Sequence, residues 1–336
     1  MTFRLWLLRL RTATASVLIG AVAVGAVGQV VRDRSALWAL GMYVPLTLLG
    51  GAALGLDLLA RGRSVPGARG LLAAVGLVAL IGGSAPLLGF GPRGDAPGIT
   101  RGGTPDLAEV AVLHWNVVWG GGSNPAWGKL LATILEKAAD VVILSEAPSD
   151  TRLDDLVRAL GPAASRTQIV HGPEAVHGPW FRLVVASRWP VRGLGRVNVV
   201  NGHAMAAEVD VRGRTLRILV VDGLSHPTLH RGPFLQSIVR VCESAKQAGA
   251  PYDLVAGDFN CVGRSLGLDG LDQLGYALAG RSARGWRATF PSFLPIYDID
   301  HLWIRNDVAD LRDTFFTNLA SDHRGQVARF RWRDGR

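Results

Sequence analysis

The sequence predicts an α/β sandwich preceded by three membrane-spanning helices. Three observations carry this: uncharged runs fill the first 92 residues, short apolar runs alternate with amphipathic stretches from Glu109 onward, and polar residues recur where those short runs end. The runs lie at about residues 12–31, 35–58 and 70–91, uncharged but for Asp57 near the end of the second. About 20 helical residues cross a hydrocarbon core of about 30 Å, and backbone polar groups in lipid must be satisfied within the segment, so each run is expected to be a helix. A cleaved signal peptide is the rival for the first run, but its apolar stretch is longer than a usual signal core and two more runs follow. The sequence thus divides into a membrane domain at 1–92, a Gly- and Pro-rich linker at 93–107 and a second domain at 108–336. Gly51-Ala52-Ala53-Leu54-Gly55 has the small-xxx-small spacing of close helix contacts, a weak signal in so Gly-rich a stretch.

Charge supports the division. The 336 residues carry a formal net charge of +9, yet residues 1–100 hold nine Arg against three acids, and residues 101–336 hold 27 basic and 24 acidic groups. A nucleic-acid surface would place its excess on the polar part, so the basic balance is not read as such a surface. Arg4, Arg9, Arg11, Arg61, Arg63 and Arg69 flank one side of the runs and Arg32 and Arg34 the other. The positive-inside rule then predicts a cytoplasmic N-terminus, a multi-pass protein of the cell (inner) membrane and an extracytoplasmic C-terminal domain. Cys242 and Cys261 allow one bridge or two free thiols.

In the second domain, Glu109–Val118 alternates as a strand does. Asn124-Pro125 opens a helix, Asn as N-cap and Pro in the first turn, that runs to about Ala139. Val141–Ser145 reads as a buried strand, Ser149 caps a helix that Gly161 ends, and Pro233–Ala248 is helical by period. Arg182–Ser187, Ala204–Asp210, Thr215–Val221, Asp253–Ala256, Ile299–Ile304 and Val327–Arg331 complete the strands. Many strands and few helices predict two packed sheets flanked by helices rather than a doubly wound sheet.

The polar residues at the strand ends are Asn116, Glu146, Asp258 with Asn260, Asp300 with His301, and Asp322 with His323. Each alone has a plain reading as a turn former, a cap or a solvated charge; their succession does not. The segments His114-Trp115-Asn116-Val117, Leu144-Ser145-Glu146, Ser187-Arg188-Trp189-Pro190-Val191, Gly257-Asp258-Phe259-Asn260, Thr289-Phe290-Pro291, Ile299-Asp300-His301 and Ser321-Asp322-His323-Arg324 resemble, in this order, the endonuclease/exonuclease/phosphatase superfamily, whose fold is the deoxyribonuclease I-like sandwich. The resemblance implies hydrolysis of phosphate esters with Mg²⁺ or Mn²⁺. Glu146 and Asn116 are then the metal ligands, with Asp322 binding or orienting a second ion. Asp258 holds or deprotonates the attacking water, Asn260 donates to the phosphate, and His323, oriented by Asp300, stabilises the oxyanion. Oxygen ligands without a Cys/His cluster agree with Mg²⁺ or Mn²⁺.

One departure stands out. The family's phosphate-contacting His is expected where this sequence has Asp222 or Gly223. Either His226 reaches the phosphate from the following loop or Asp222 adds a metal ligand; a loop His and a turn Asp are the plain alternative. His301 is expected to face away from the site, His171, His177, His203 and His230 to lie on the surface, Cys261 to fill space, and Trp180, Trp286 and Trp303 to pack in the core unless they line a pocket. The expected partners are a lipid bilayer and a phosphate-ester substrate, either nucleic acid or a phospholipid headgroup. The competing readings are a degenerate phosphate-binding or scaffold domain on a membrane anchor, and a transport protein. Asp57 is the one charge within the three runs and lies near a run's end, which argues against transport.

Overall fold

The computed structural model describes residues 3–60, 70–90, 109–171, 181–226 and 228–333. The predicted linker at 93–107, Arg61, Arg63, Arg69, His177 and Trp180 lie outside them. The chain divides into two compact units, Met1–Leu88 with Pro227–His230, and Gly89–His226 with Arg231–Arg336.

The first unit is helical: α1 (Phe3–Val31), α2 (Ala36–Met42), α3 (Leu46–Ala60) and α4 (Leu71–Ser84). The three runs are therefore largely helical, the third ending in a short strand at Leu88–Phe90, but they are not three full spans. Among the described residues only Arg9–Val31 is a single helix long and apolar enough to cross a membrane. The second run is broken between α2 and α3, which meet at a 54° bend where Pro45 precedes α3, and it passes only as a bent pair. Fourteen residues of α4 rise about 21 Å, short of a hydrocarbon core of about 30 Å. The close helix approach is not at the Gly51/Gly55 pair, where an added Cβ would meet open space, but at Gly50, where it would lie 2.4 Å from the Leu80 backbone nitrogen.

The second unit contains two six-stranded sheets. The first has the order β11-β12-β1-β2-β4-β3, with β1 (Glu109–Asn116), β2 (Val141–Ser145), β3 (Ser165–His171), β4 (Phe181–Ser187), β11 (Val308–Phe316) and β12 (Gly325–Trp332). The second has the order β9-β10-β8-β7-β6-β5, with β5 (Val191–Val197), β6 (Gly202–Val211), β7 (Arg214–Gly223), β8 (Leu254–Asp258), β9 (Tyr276–Leu278) and β10 (Asp300–Arg305). Each sheet is antiparallel except for one central parallel pair, β1 with β2 and β7 with β8. The helices longer than one or two turns are α5 (Asn124–Glu136), α6 (Asp150–Leu160) and α7 (Gly232–Gln247).

The period of two explains the layers. Val110, Val112, Val141, Ile143, Ile218, Val220, Leu254 and Ala256 point inward and join in one core between the sheets. The alternate residues Leu113, Trp115, Val142 and Leu144 face outward, against Leu130, Ile134, Leu153 and Leu156 of α5 and α6. Leu219, Val221 and Val255 likewise meet Phe234, Leu235 and Ile238 of α7. Both faces of the central strands are covered, which is why they read as continuous apolar runs.

Sequence and structure differ in detail at the edges. Strands β3, β5, β9 and β11 carry weaker patterns and are not expected from the sequence; edge strands have one neighbour and an exposed face, so nothing forces strict alternation on them. The N-cap of α5 is Ser123, whose Oγ accepts from Ala126 N at 3.3 Å, one residue before the predicted Asn124. Ser149 holds the N-cap position of α6, but its side chain makes no capping bond. Both cysteines are buried and form no disulfide among the described residues.

Candidate active site

Inward parity carries to the strand ends and gathers polar groups there. Asn116 continues the series of Val110 and Val112, Asp222 that of Ile218 and Val220, and Asp258 that of Leu254 and Ala256. Asp300 opens β10 on the side of Leu302 and Ile304. Register aligns them further: Asp300 pairs with Asp258, Asp258 with Asp222, and Asp222 with His203, one row across β10, β8, β7 and β6. Directly paired residues share a face of the sheet, and all four are buried.

Glu146 would point outward by the same parity, since Val142 and Leu144 do. It is turned by a left-handed backbone, φ +45°, a conformation that costs a non-glycine residue about 1–3 kcal/mol. The result is a hydrogen bond from Asn116 Nδ2 to Glu146 Oε1 at 3.2 Å. The same amide nitrogen donates to Asp258 Oδ2 at 3.1 Å, while Asn116 Oδ1 accepts from Val118 N. Gly257 fits the β7–β8 crossing as no other residue can. Its φ is +151°, and a Cβ there would lie 1.8 Å from Val221 O. Gly257→Ala is expected to cost about 3 kcal/mol through overpacking and a forbidden backbone, read as a lower urea midpoint.

His323 hangs from a loop that two hydroxyls tie down. Ser321 Oγ donates to Asn116 O at 2.7 Å and accepts from His323 N at 3.0 Å; Ser292 Oγ donates to Ser321 O. His323 Nδ1 lies 2.8 Å from Asp300 Oδ2, and Nε2 lies 3.9 Å from both Asp258 Oδ2 and Asp322 Oδ1. The Phe290 ring packs 5.0 Å from the imidazole. Asp300 is held by two backbone N–H groups that share Thr289 Oγ1, its own and that of Ile299.

The charges oppose one another. Burial alone would lower the His323 imidazolium, but Asp300, with Asp258 and Asp322 beyond it, overrides this and lifts it to about 10. Burial would raise Asp300, and His323 holds it below the usual carboxylate range. Burial, reinforced by the charge of Asp300, pushes Asp258 up to about 7. Burial also raises Glu146, with Asn116 working against it. His114, buried on β1 with Nε2 3.2 Å from Ser145 Oγ, is lowered to about 4 by burial. Asp258, Asp300 and His323 present ligand atoms within 4.8 Å of one another, a grouping that could hold a metal ion. A protonated imidazole is no ligand, however, so His323 is better matched to donating a hydrogen bond. Asp300→Asn removes the partner that holds the imidazolium. It is expected to slow turnover about 100-fold and shift the alkaline limb of the pH–rate profile downward.

The structure thus brings together Asn116, Glu146, Asp258, Asp300 and His323 from widely separated segments. Asn260 adjoins them: its N–H donates to Asp258 Oδ1 at 2.8 Å, and its amide donates to Gly223 O at 2.8 Å. Asp322 is at the rim and exposed. His226 is exposed as well, and the hydrogen bonds joining the five residues do not include it. His301 faces outward as expected, Nε2 2.9 Å from Cys261 O. Trp303 is in the core and Trp286 is half-buried, its Nε1–H donating to Pro295 O.

One expectation about the surroundings changes, and one residue is new. His203 is buried rather than on the surface, with its ring 4.0 Å from that of Phe181. Arg231, which the sequence did not mark, is buried; its Nε donates to Asn260 O at 2.8 Å and its Nη2 to His226 O at 3.1 Å, tying the two loops. An isolated Arg before a helix has no local signal that would have identified it. His114 stood inside a recognised segment, and its inward parity was the available clue.

Comparison with known proteins agrees with this geometry. The model of the Endonuclease/Exonuclease/phosphatase family matches residues 113–323. The catalytic domain of human Nocturnin superposes with a TM-score of 0.51 at 19% identity, over 67% of this chain and 95% of that one. TDP2 from C. elegans gives 0.49 at 16% identity, over 66% and 75%. The mannosyl-6-phosphatase Bt3783 of Bacteroides thetaiotaomicron gives 0.47 at 13%, over 66% and 99%. At these identities the likeness to Nocturnin speaks for the fold alone. No curated protein matches the sequence. With the family model matching residues 113–323, well over half of the chain and all of the site residues described above, the chain belongs to the endonuclease/exonuclease/phosphatase family.

Proposed function

We propose that this protein is a divalent-metal-dependent phosphoesterase, tethered to a membrane by its N-terminal helical unit, that hydrolyses phosphate esters with an activated water. The observation that carries the reading is the convergence of Asp258 with the Asp300–His323 pair and the Asn116–Glu146 pair at the C-terminal ends of both parallel strand pairs. The donor set suits a hard cation: carboxylate and amide oxygens gather where burial has raised the carboxylates, a charge state that a dication relieves. Glu146 and Asn116 would hold Mg²⁺ or Mn²⁺, with Asp322 at the rim. Bound there, the ion would neutralise charge developing on the phosphoryl group.

The chain's own groups divide the remaining work. Asp258, pushed up toward neutrality, is matched to accept a proton from water near pH 7. Asn260 N–H orients its carboxylate, and the Asn260 amide is assigned as a donor to a phosphoryl oxygen. His323 stays protonated across the neutral range and would donate from Nε2 to the phosphoryl oxygen on which charge accumulates, while Asp300 holds Nδ1–H. Arg231 keeps the Asn260 loop in place. The substrate is a phosphate ester, from nucleic acid or a phospholipid headgroup.

Membrane tethering is supported by Arg9–Val31, long and apolar enough to span, with Val17, Val24, Val27 and Val30 exposed along it. The test is a panel of chromogenic phosphodiesters, single-stranded DNA and phospholipid vesicles, incubated with the detergent-purified full chain. Hydrolysis of at least one that needs Mg²⁺ or Mn²⁺ and stops with a chelator is expected; metal-independent release, or none, would count against the reading.

A further inference from the structure

Asp222 is the buried acid that the chemistry above does not use. It is 2% exposed, and among the described residues its Oδ2 has no hydrogen-bond partner. Buried polar atoms are nearly always satisfied, and a carboxylate oxygen left alone is expensive. Its place in the sheet shows where that oxygen can be served. Asp222 pairs with Asp258 across the parallel β7–β8 ladder, so both side chains leave the same face at the same level. On the other flank stands His203, whose ring packs on Phe181. The next residue supplies no side-chain donor, because a Cβ on Gly223 would lie 2.7 Å from Phe259 O.

Charge points the same way. His323 offsets Asp300 through their 2.8 Å contact. With Asp322 exposed to water at the rim, Glu146, Asp222 and Asp258 are left inside the site, three carboxylates where an anionic phosphate must also enter. One dication leaves that set net negative, and two make it net positive.

We propose that Asp222 ligates a second divalent cation, shared with Asp258 between β7 and β8 and separate from the ion assigned to Glu146 and Asn116. The inference rests on the phosphoesterase reading of the same site. Two carboxylate oxygens select a hard ion such as Mg²⁺ or Mn²⁺ over Zn²⁺. The ion would serve as the positive wall on the β7 side of the phosphate position, where the chain places no cationic side chain at Asp222 or Gly223.

The test counts ions. The detergent-purified full chain, stripped of metal, is titrated with Mn²⁺ while electron paramagnetic resonance measures the free ion. Two Mn²⁺ per wild-type chain are expected, one in Asp222→Asn, one in Glu146→Gln, and none in the double variant. Two ions in Asp222→Asn, or one in wild type, would overturn the proposal while leaving the phosphoesterase reading intact. No ion in wild type would overturn both. If circular dichroism shows that Asp222→Asn does not fold, the wild-type and Glu146→Gln counts decide: two and one support the second site, and one and none refute it.

Discussion

Asp258→Asn is expected to lower the rate of metal-dependent hydrolysis by about 10³- to 10⁴-fold at neutral pH, the upper range for losing a positioned general base. The substitution is nearly isosteric, and with its oxygen at the Oδ1 position it still accepts from Asn260 N–H, although the Asn116 amide loses its acceptor at Oδ2; an unchanged melting temperature shows that the loss reports proton transfer rather than collapse of the loop. His323→Ala is expected to cost about 10²- to 10³-fold, the scale for removing a donor to a developing oxyanion. The wild-type profile should rise through about 7, where Asp258 ionises, and fall toward about 10, where His323 loses its proton. A bound dication favours ionised Asp258, so raising the metal concentration should move the acid limb lower. Comparing kcat/KM of the three proteins between pH 5 and 10 checks this. Equal rates, or an acid limb unmoved by metal, would refute the assignment.

The metal-free protein is expected to lose stability as pH rises from about 4 through 7, and Mg²⁺ is expected to restore it. Burial raises Glu146, Asp222 and Asp258 above their ordinary values. Between the unfolded and folded values the native state therefore binds more protons than the unfolded state, and stability falls with increasing pH. A tenfold difference in proton affinity between the two states is worth about 1.4 kcal/mol, so Asp258, raised to about 7, is expected to contribute a few kcal/mol, with Glu146 and Asp222 acting in the same direction. The histidines act in other windows: the raised value of His323 stabilises the fold fully below about 6.5 and its contribution declines from there to about 10, while His114, lowered to about 4 by burial, opposes the carboxylates between about 4 and 6.5 as one group against three. Thermal melts with and without Mg²⁺ at pH 5 and pH 8 measure the effect. The metal-dependent gain in Tm should be small at pH 5 and large at pH 8; the reverse order would contradict the charge assignment.

Much of this was legible along the chain, for reasons that can be located. The alternation in Glu109–Asn116 and the apolar runs Val141–Ser145 and Leu254–Asp258 mark central strands because both their faces are packed. Asn116, Glu146, Asp258, Asp300 and His323 were identifiable because each follows or opens such a run, where side chains leave the core together. The weaker strands β3, β5, β9 and β11 were not, since edge strands lack a second neighbour to enforce a pattern. The second uncharged run looked like one span because composition does not register the 54° bend between α2 and α3.

The sequence by itself determined the layered fold, the inward parity of the strand-end acids and the order in which they appear, because periodicity and turn chemistry are local properties. Only the tertiary structure decided which of those acids meet. Strand register set Asp222 beside Asp258 and His203 beside Asp222, a left-handed backbone turned Glu146 against its parity, and burial divided Asp258 from the rim-exposed Asp322. Proximity between residues far apart in the chain depends on sheet order and register, and the low dielectric of the assembled core, absent in any isolated segment, turns that proximity into shifted protonation.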